Sequence, residues 1–160
     1  MAKSVYIESS VVSYLTSRPS RDLVSAGHQA STHEWWNEAR PDYETFISSL
    51  VIEEISAGDT SASQARLRAV ADIPSLDIKP EAEDLAELLL NSKAVPANSA
   101  RDALHIAIAA TQGIDYLLTW NFKHINNART RALVINVVSN FGLVCPVLCS
   151  PEELIGDEDA

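Results

Sequence analysis

Apolar and polar positions fall in blocks along this chain, and the blocks switch between a period of two and a period near 3.6. Val5-Tyr6-Ile7 is a short apolar block ending at Glu8, and it reads as a buried strand. Ser9 or Ser10 is a natural N-cap for a helix over Val11 to Thr16, which Arg18-Pro19-Ser20 breaks. Asp22 opens a longer helix to about Ala39, with Val24, His28, Ser31 and Trp35 on one face. Tyr43 to Ile47 alternates toward a second strand. Ser48 and Ser49 then cap a helix over Leu50 to Ala57, closed by Gly58. A helix over Thr60 to Ala71 and a short strand over Leu76 to Ile78 follow. Pro80 then sits at the first position of a helix over Glu81 to Leu90.

The stretch from Ser99 to Ile125 organises the rest. Ser99 is placed to cap a helix with Arg101 and Asp102 in its first turn. Ala103 to Ala110 is apolar on nearly every side except at His105, which predicts a helix buried between layers. Gln112-Gly113 stops it, Tyr116 to Thr119 is a strand, and Trp120 to His124 lies at that strand's carboxyl end. Ala128 to Ser139 reads as a helix or loop-helix, and Val144 to Leu148 as a last strand. Strands and helices alternate throughout, so the expected fold class is α/β, with parallel strands joined by crossovers and covered on both faces. The five glycines are scattered and form neither GxGxxG nor GxxxxGK[ST], which argues against a dinucleotide or nucleoside-triphosphate fold.

Composition narrows this picture. A chain of 160 residues suits one domain with a real core. No apolar run approaches the roughly 18 residues that cross a bilayer. Met-Ala-Lys-Ser runs straight into the first strand, so the expectation is a cytoplasmic protein with no signal peptide and no membrane partner. Cys145 and Cys149 have no second cysteine pair and no nearby histidine in sequence, so buried free thiols are expected rather than a zinc site. The net charge of −10 argues against a free-standing nucleic-acid binder. Half of that charge lies in the acidic tail, in Glu152, Glu153, Asp157, Glu158 and Asp159. Some of the remaining acids are free to face a metal ion, so a metal-dependent nuclease stays open.

Candidate chemistry appears where strands end. Glu8 follows the first strand, Glu54 lies in the helix after the second, and Asp102 lies in the central helix, while Asn121 follows the strand at Tyr116 to Thr119. In a parallel sheet such groups gather at the carboxyl edge. Converging carboxylates need a positive charge among them. With no Cys/His set at ligand spacing, oxygen ligands point to Mg²⁺ or Mn²⁺. Such an ion can activate water and offset charge on a phosphodiester. Each residue also has a simpler reading. Ser99-x-x-Asp102 has the form of a capping box, and Glu53 competes with Glu54 for the inward position. Ser10 either caps a helix or supports a metal-bound water, and Asn121 either caps Phe122 to Ile125 or joins the site. His105 reads as a partly buried structural histidine, and Trp35 and Trp36 as core or dimer packing.

Four segments together resemble the PIN-domain family. Tyr6-Ile7-Glu8-Ser9-Ser10-Val11-Val12 resembles its opening motif and Ile47-Ser48-Ser49-Leu50-Val51-Ile52-Glu53-Glu54-Ile55 its second. Arg101-Asp102-Ala103-Leu104-His105-Ile106-Ala107 resembles the third, and Leu118-Thr119-Trp120-Asn121-Phe122-Lys123-His124 the fourth, whose usual form is Thr-x-Asp. The likeness runs from Val5 to about Pro151 and is closest to single-domain, VapC-like toxins of type II toxin–antitoxin systems.

It implies a three-layer α/β/α fold with a central parallel sheet over residues 1–151, followed by an acidic C-terminal tail at 152–160. It also implies a Mg²⁺- or Mn²⁺-dependent endoribonuclease, a cognate antitoxin protein and a homodimer. The carried-over catalytic and metal positions are Glu8, Glu54, Asp102 and Asn121. Ser10, Arg101, Thr119 and Lys123 are candidates for supporting hydrogen bonds or RNA contacts, and His124 for a phosphate contact. Two positions depart from the family pattern. Glu8 stands where Asp is usual, which moves the carboxylate by about 1.5 Å. Asn121 stands in place of Asp, which removes one negative charge. These departures favour an alternative, a PIN fold without nuclease activity that binds protein. A small-molecule hydrolase using the same acids is a third reading.

Overall fold

The computed structural model describes residues 2–156. Five strands form one parallel sheet: β1 (Ser4–Ile7), β2 (Glu44–Ser48), β3 (Ser75–Leu76), β4 (Tyr116–Leu118) and β5 (Val147–Cys149), in the order β3-β2-β1-β4-β5. The helices are α1 (Ser9–Thr16), α2 (Leu23–Glu34), α3 (Ser49–Ile55), α4 (Thr60–Ala69), α5 (Pro80–Asn91), α6 (Ala100–Thr111) and α7 (Arg131–Asn140). α1 packs with α2, α3 and α4, and α5 packs with α6 and α7, so two groups of helices flank the sheet. This is the expected three-layer α/β/α arrangement.

β1 is the central strand, and its run Val5-Tyr6-Ile7 is fully buried. After β1 the chain moves to one side, through β2 and β3, and then returns across β1 to build β4 and β5. The order therefore reverses between β1 and β4. At such a switch point the loops leave the strand ends in opposite directions and open a crevice. Ile7 pairs with Leu118, so the residues just beyond, Glu8 and Thr119, face that crevice together.

α6 lies between layers, with Ala103 and every residue from His105 to Ala110 buried. It ends at Gln112, and Gly113 supplies the left-handed turn at φ +70°. The helix expected to reach Ala39 continues past Glu34 as a π-helical turn over Trp35–Ala39. Both tryptophans are buried core residues.

Several boundaries differ from the sequence expectations. β3 covers only Ser75–Leu76 and β5 starts at Val147, since Val144 is almost wholly exposed. The segment Phe122 to Ile125 forms turns without a helix. Within the stretch from Glu152 onward that was expected to fray, Glu152–Leu154 forms a 3-10 turn. Leu154 and Ile155 pack against the core, and Glu153 accepts hydrogen bonds from the Ser150 backbone and hydroxyl. Asp157, Glu158 and Asp159 lie outside the described residues. Cys145 and Cys149 are unpaired, and burial pushes their thiols up to about 11 and about 12, so both stay protonated at neutral pH. No described helix is long and apolar enough to cross a membrane.

Candidate metal centre

Glu8 sits where β1 hands the chain to α1. The expected serine caps are displaced: Glu8 itself is the N-cap, and its Oε2 accepts from the Ser10 N–H at 3.0 Å. A carboxylate at a helix N-terminus satisfies a free N–H and meets the positive end of the helix dipole. Its Oε1 accepts from the Ser10 hydroxyl at 2.6 Å and from the Thr119 hydroxyl at 2.6 Å. Ser10 Oγ in turn accepts from the Trp120 N–H at 2.9 Å, and Thr119 Oγ1 from the Asn121 N–H at 2.9 Å. The ends of β1 and β4 are thus tied through one buried carboxylate.

Glu54 reaches the same place from α3, whose N-cap Ser48 accepts from the Val51 N–H. Its Oε1 accepts from the Ser9 hydroxyl and from His105 Nε2, both at 2.6 Å. The competition between Glu53 and Glu54 is settled by helix phase. Glu53 points outward to pair with Arg101 at 3.1 Å, and Glu54 points inward. Arg101 Nη1 stands 4.0 Å from Glu54 Oε2. Burial pushes the Glu54 pKa up, but His105, the Ser9 hydroxyl and Arg101 outweigh it and hold the carboxyl below its usual range. A depressed folded pKa contributes stability above the unfolded value, about 4.3, and loses it as pH falls through the folded value. Metal-free protein is therefore expected to lose more stability between pH 7 and pH 3 than its Glu54→Gln variant, measured by urea unfolding. Equal losses would show that Glu54 carries no such linkage.

Asp102 does not form the expected capping box. The Ser99 hydroxyl makes no cap bond and turns to His124 Nδ1 at 3.1 Å. Asp102 instead accepts from Asn121 Nδ2 at 3.1 Å and pairs with His124 Nδ1 at 3.1 Å. These tertiary partners outbid the local cap because both lie on the turn that follows β4. Asn121 Oδ1 accepts from the His124 N–H at 2.9 Å, so the two ends of the amide have opposite partners and its orientation is fixed. Asn121 thus caps a turn and holds Asp102 through its amide. Lys123 is exposed beside it.

An oxygen of Glu8, an oxygen of Glu54 and a ring nitrogen of His105 lie within 4.8 Å of one another. Asp102 is outside that group but lines one cavity of about 550 Å³ with Glu54, Ser99, Arg101 and His124. A larger cavity, about 620 Å³, opens at the amino-terminal strand ends beside Lys3 and Asp115 and brings no carboxylates together. Glu8 is only 6% exposed, and among the described residues no cationic side chain forms an ion pair with it. A buried carboxylate held by neutral donors, next to a second carboxylate, is a donor set that fits a hard divalent cation.

His105, Ser9 and Tyr6 are residues that sequence reasoning left out of the site, while His124, expected as a phosphate contact, pairs with Asp102. His105 is fully buried, with Nε2 on Glu54 and Nδ1 at 2.6 Å from the Tyr6 hydroxyl. Its signal was present as the one polar position in the otherwise apolar run from Ala103 to Ala110.

No curated protein matches the chain. A protein-family model does: its description is PIN domain, and it matches residues 5–128. That span runs from Val5 in β1 to beyond β4 and contains every group that converges at the crevice, and PIN domains are in general metal-dependent nucleases. The chain belongs to the PIN domain family.

Proposed function

We propose that this protein is a metal-dependent endoribonuclease, the toxin of a toxin–antitoxin pair, with Mg²⁺ or Mn²⁺ held by Glu8, Glu54 and Asp102. The observation that carries the reading is the meeting of Glu8 and Glu54 within 4.8 Å at the strand switch point, beside a cavity that Asp102 also lines. When bound, the ion supplies Lewis-acid chemistry, acidifying a water and offsetting charge on a phosphodiester. Ser9, Ser10 and Thr119 hold the two glutamates in place. Asn121 and His124 hold Asp102, and Asn121 takes part through that contact. Arg101 and Lys123 are the exposed cations nearest to hand for RNA phosphates. The toxin assignment, the antitoxin partner and a homodimer rest on the resemblance of the four motifs.

The test is cleavage of single-stranded RNA with Mg²⁺ or Mn²⁺, against a chelator control and a folded Asp102→Asn variant. Cleavage is expected to need the metal and to vanish in Asp102→Asn. A folded variant that cleaves as well as the wild type would sink this site assignment. One observation favours a second reading, a protein-binding PIN fold without nuclease activity. The Asn121 amide is engaged at both ends, by Asp102 and the His124 N–H, and no carboxylate stands at that position. That reading expects no metal-dependent cleavage and no metal-dependent stabilisation.

A further inference from the structure

Behind Glu54 runs a line of buried polar groups, and their protons have a single consistent arrangement. We propose that this line fixes His105 as the neutral Nε2–H tautomer, so that His105 positions Glu54 by donating to it and is not itself a metal ligand. The proposal concerns Glu54 as a metal-binding group and rests on that reading.

The direction is set at the far end. The Val51 N–H can only donate, and it meets Ser48 Oγ at 3.3 Å. Ser48 is fully buried, so its own proton needs an acceptor, and among the described residues Tyr6 Oη, at 2.8 Å, is its remaining hydrogen-bond partner. Tyr6 must therefore accept from Ser48 and donate to His105 Nδ1, at 2.6 Å. Burial holds the Tyr6 hydroxyl protonated, far above its usual range. With Nδ1 accepting, the ring proton sits on Nε2, which meets Glu54 Oε1 at 2.6 Å. The opposite tautomer would leave the buried Tyr6 or Ser48 proton without an acceptor and turn a nitrogen lone pair toward a carboxylate. A doubly protonated ring would donate from Nδ1 to Tyr6 Oη, and either the buried Tyr6 proton or the buried Ser48 proton would then have no acceptor among the described residues.

The consequence reaches the second oxygen of Glu54. Glu54 Oε1 takes two donors, Ser9 and His105, while Oε2 has no hydrogen-bond donor among the described residues and only Arg101 at 4.0 Å. A carboxylate pinned through one oxygen presents the other in a fixed direction. The edge-to-face contact of the Tyr6 and His105 rings, 5.8 Å between centroids, holds the imidazole plane.

The first test is ¹⁵N NMR of metal-free, ¹⁵N-labelled protein, with the His105 ring signals identified by their loss in His105→Gln. A protonated Nε2 and a bare Nδ1 are expected, unchanged when Mg²⁺ is added. A protonated Nδ1, or loss of the Nε2 proton on adding Mg²⁺, would overturn the proposal. The second test is Mn²⁺ affinity from thermal titration. Tyr6→Phe and His105→Leu are expected to weaken it about 10- to 100-fold, the usual cost of losing a ligand's hydrogen-bond partner. His105→Gln, whose amide still donates to Glu54, is expected to stay near the wild type. A His105→Gln variant as damaged as His105→Leu, with Tyr6→Phe unaffected, would mark His105 as a ligand and overturn the proposal. Wild-type protein that binds no Mn²⁺ would remove the metal reading of Glu54, and the metal-free imidazole spectrum would still decide the wiring.

Discussion

Mn²⁺ added to chelator-treated protein is expected to raise its unfolding temperature by about 5–10 °C, and Glu8→Gln is expected to abolish the rise. An ion that binds only the native state adds about 2.7 kcal/mol at 100 times its dissociation constant. For a chain of this size each kcal/mol moves the midpoint by about 2–4 °C. Glu8 is the sharpest place to remove the effect, because its charge is buried and its partners are neutral. Ser10 and Thr119 both donate to it through hydroxyls, and a hydroxyl can turn to accept from an amide instead. Glutamine with its carbonyl on the Ser10 N–H keeps that cap bond and turns its amide to the two hydroxyls, so it removes the charge without removing the cap. Metal-free Glu8→Gln is expected to be close in stability to the wild type, since relief of a buried charge offsets the weaker neutral hydrogen bonds at Ser10 and Thr119. The combination of equal metal-free stability and a lost Mn²⁺ response would mark Glu8 as a ligand. A carboxylate kept for structure alone would give the reverse pattern: lower stability without metal, and an unchanged response to it.

Thr119→Val is expected to destabilise the metal-free protein by about 3 kcal/mol, read by urea unfolding. Valine matches threonine in shape, so packing at this fully buried position is conserved. What goes is the hydroxyl, which donates to Glu8 Oε1 at 2.6 Å and accepts from the Asn121 N–H at 2.9 Å. A hydrogen bond to a charged group contributes about 1.5–3 kcal/mol, and a donor left without its acceptor adds about 1–3 kcal/mol more. The loss also frees the turn that carries Asn121 and, through it, the orientation of Asp102. The metal response should weaken along with stability. A change below about 1 kcal/mol would show that solvent replaces the hydroxyl, and that β1 and β4 are not tied there.

Much of the frame was legible in the sequence because it depends on local periodicity. The apolar run Val5-Tyr6-Ile7 has room only for a strand, and the apolar circumference of Ala103 to Ala110 only for a helix between layers. Asp22, Ser48 and Pro80 occupy the helix starts expected of them, as each acts on backbone within three residues. The sites of error were also local rules, overruled by distant groups. Ser9 and Ser10 are good caps by type, yet their hydroxyls serve Glu54 and Glu8, and the cap falls to Glu8. Ser99 and Asp102 have capping-box spacing, yet both turn to the loop after β4, more than twenty residues from Ser99 and nineteen from Asp102 at its nearest.

The sequence by itself determined the layers, the parallel sheet and the placing of acids at strand ends, because period and capping are properties of neighbours along the chain. Only the tertiary structure decided which groups meet. It chose Glu54 over Glu53, set His105 between Tyr6 and Glu54, and gave Asn121 the task of holding Asp102. The reason is physical. A hydrogen bond between side chains 19 to 111 residues apart depends on strand order and helix phase together, and no local rule carries either.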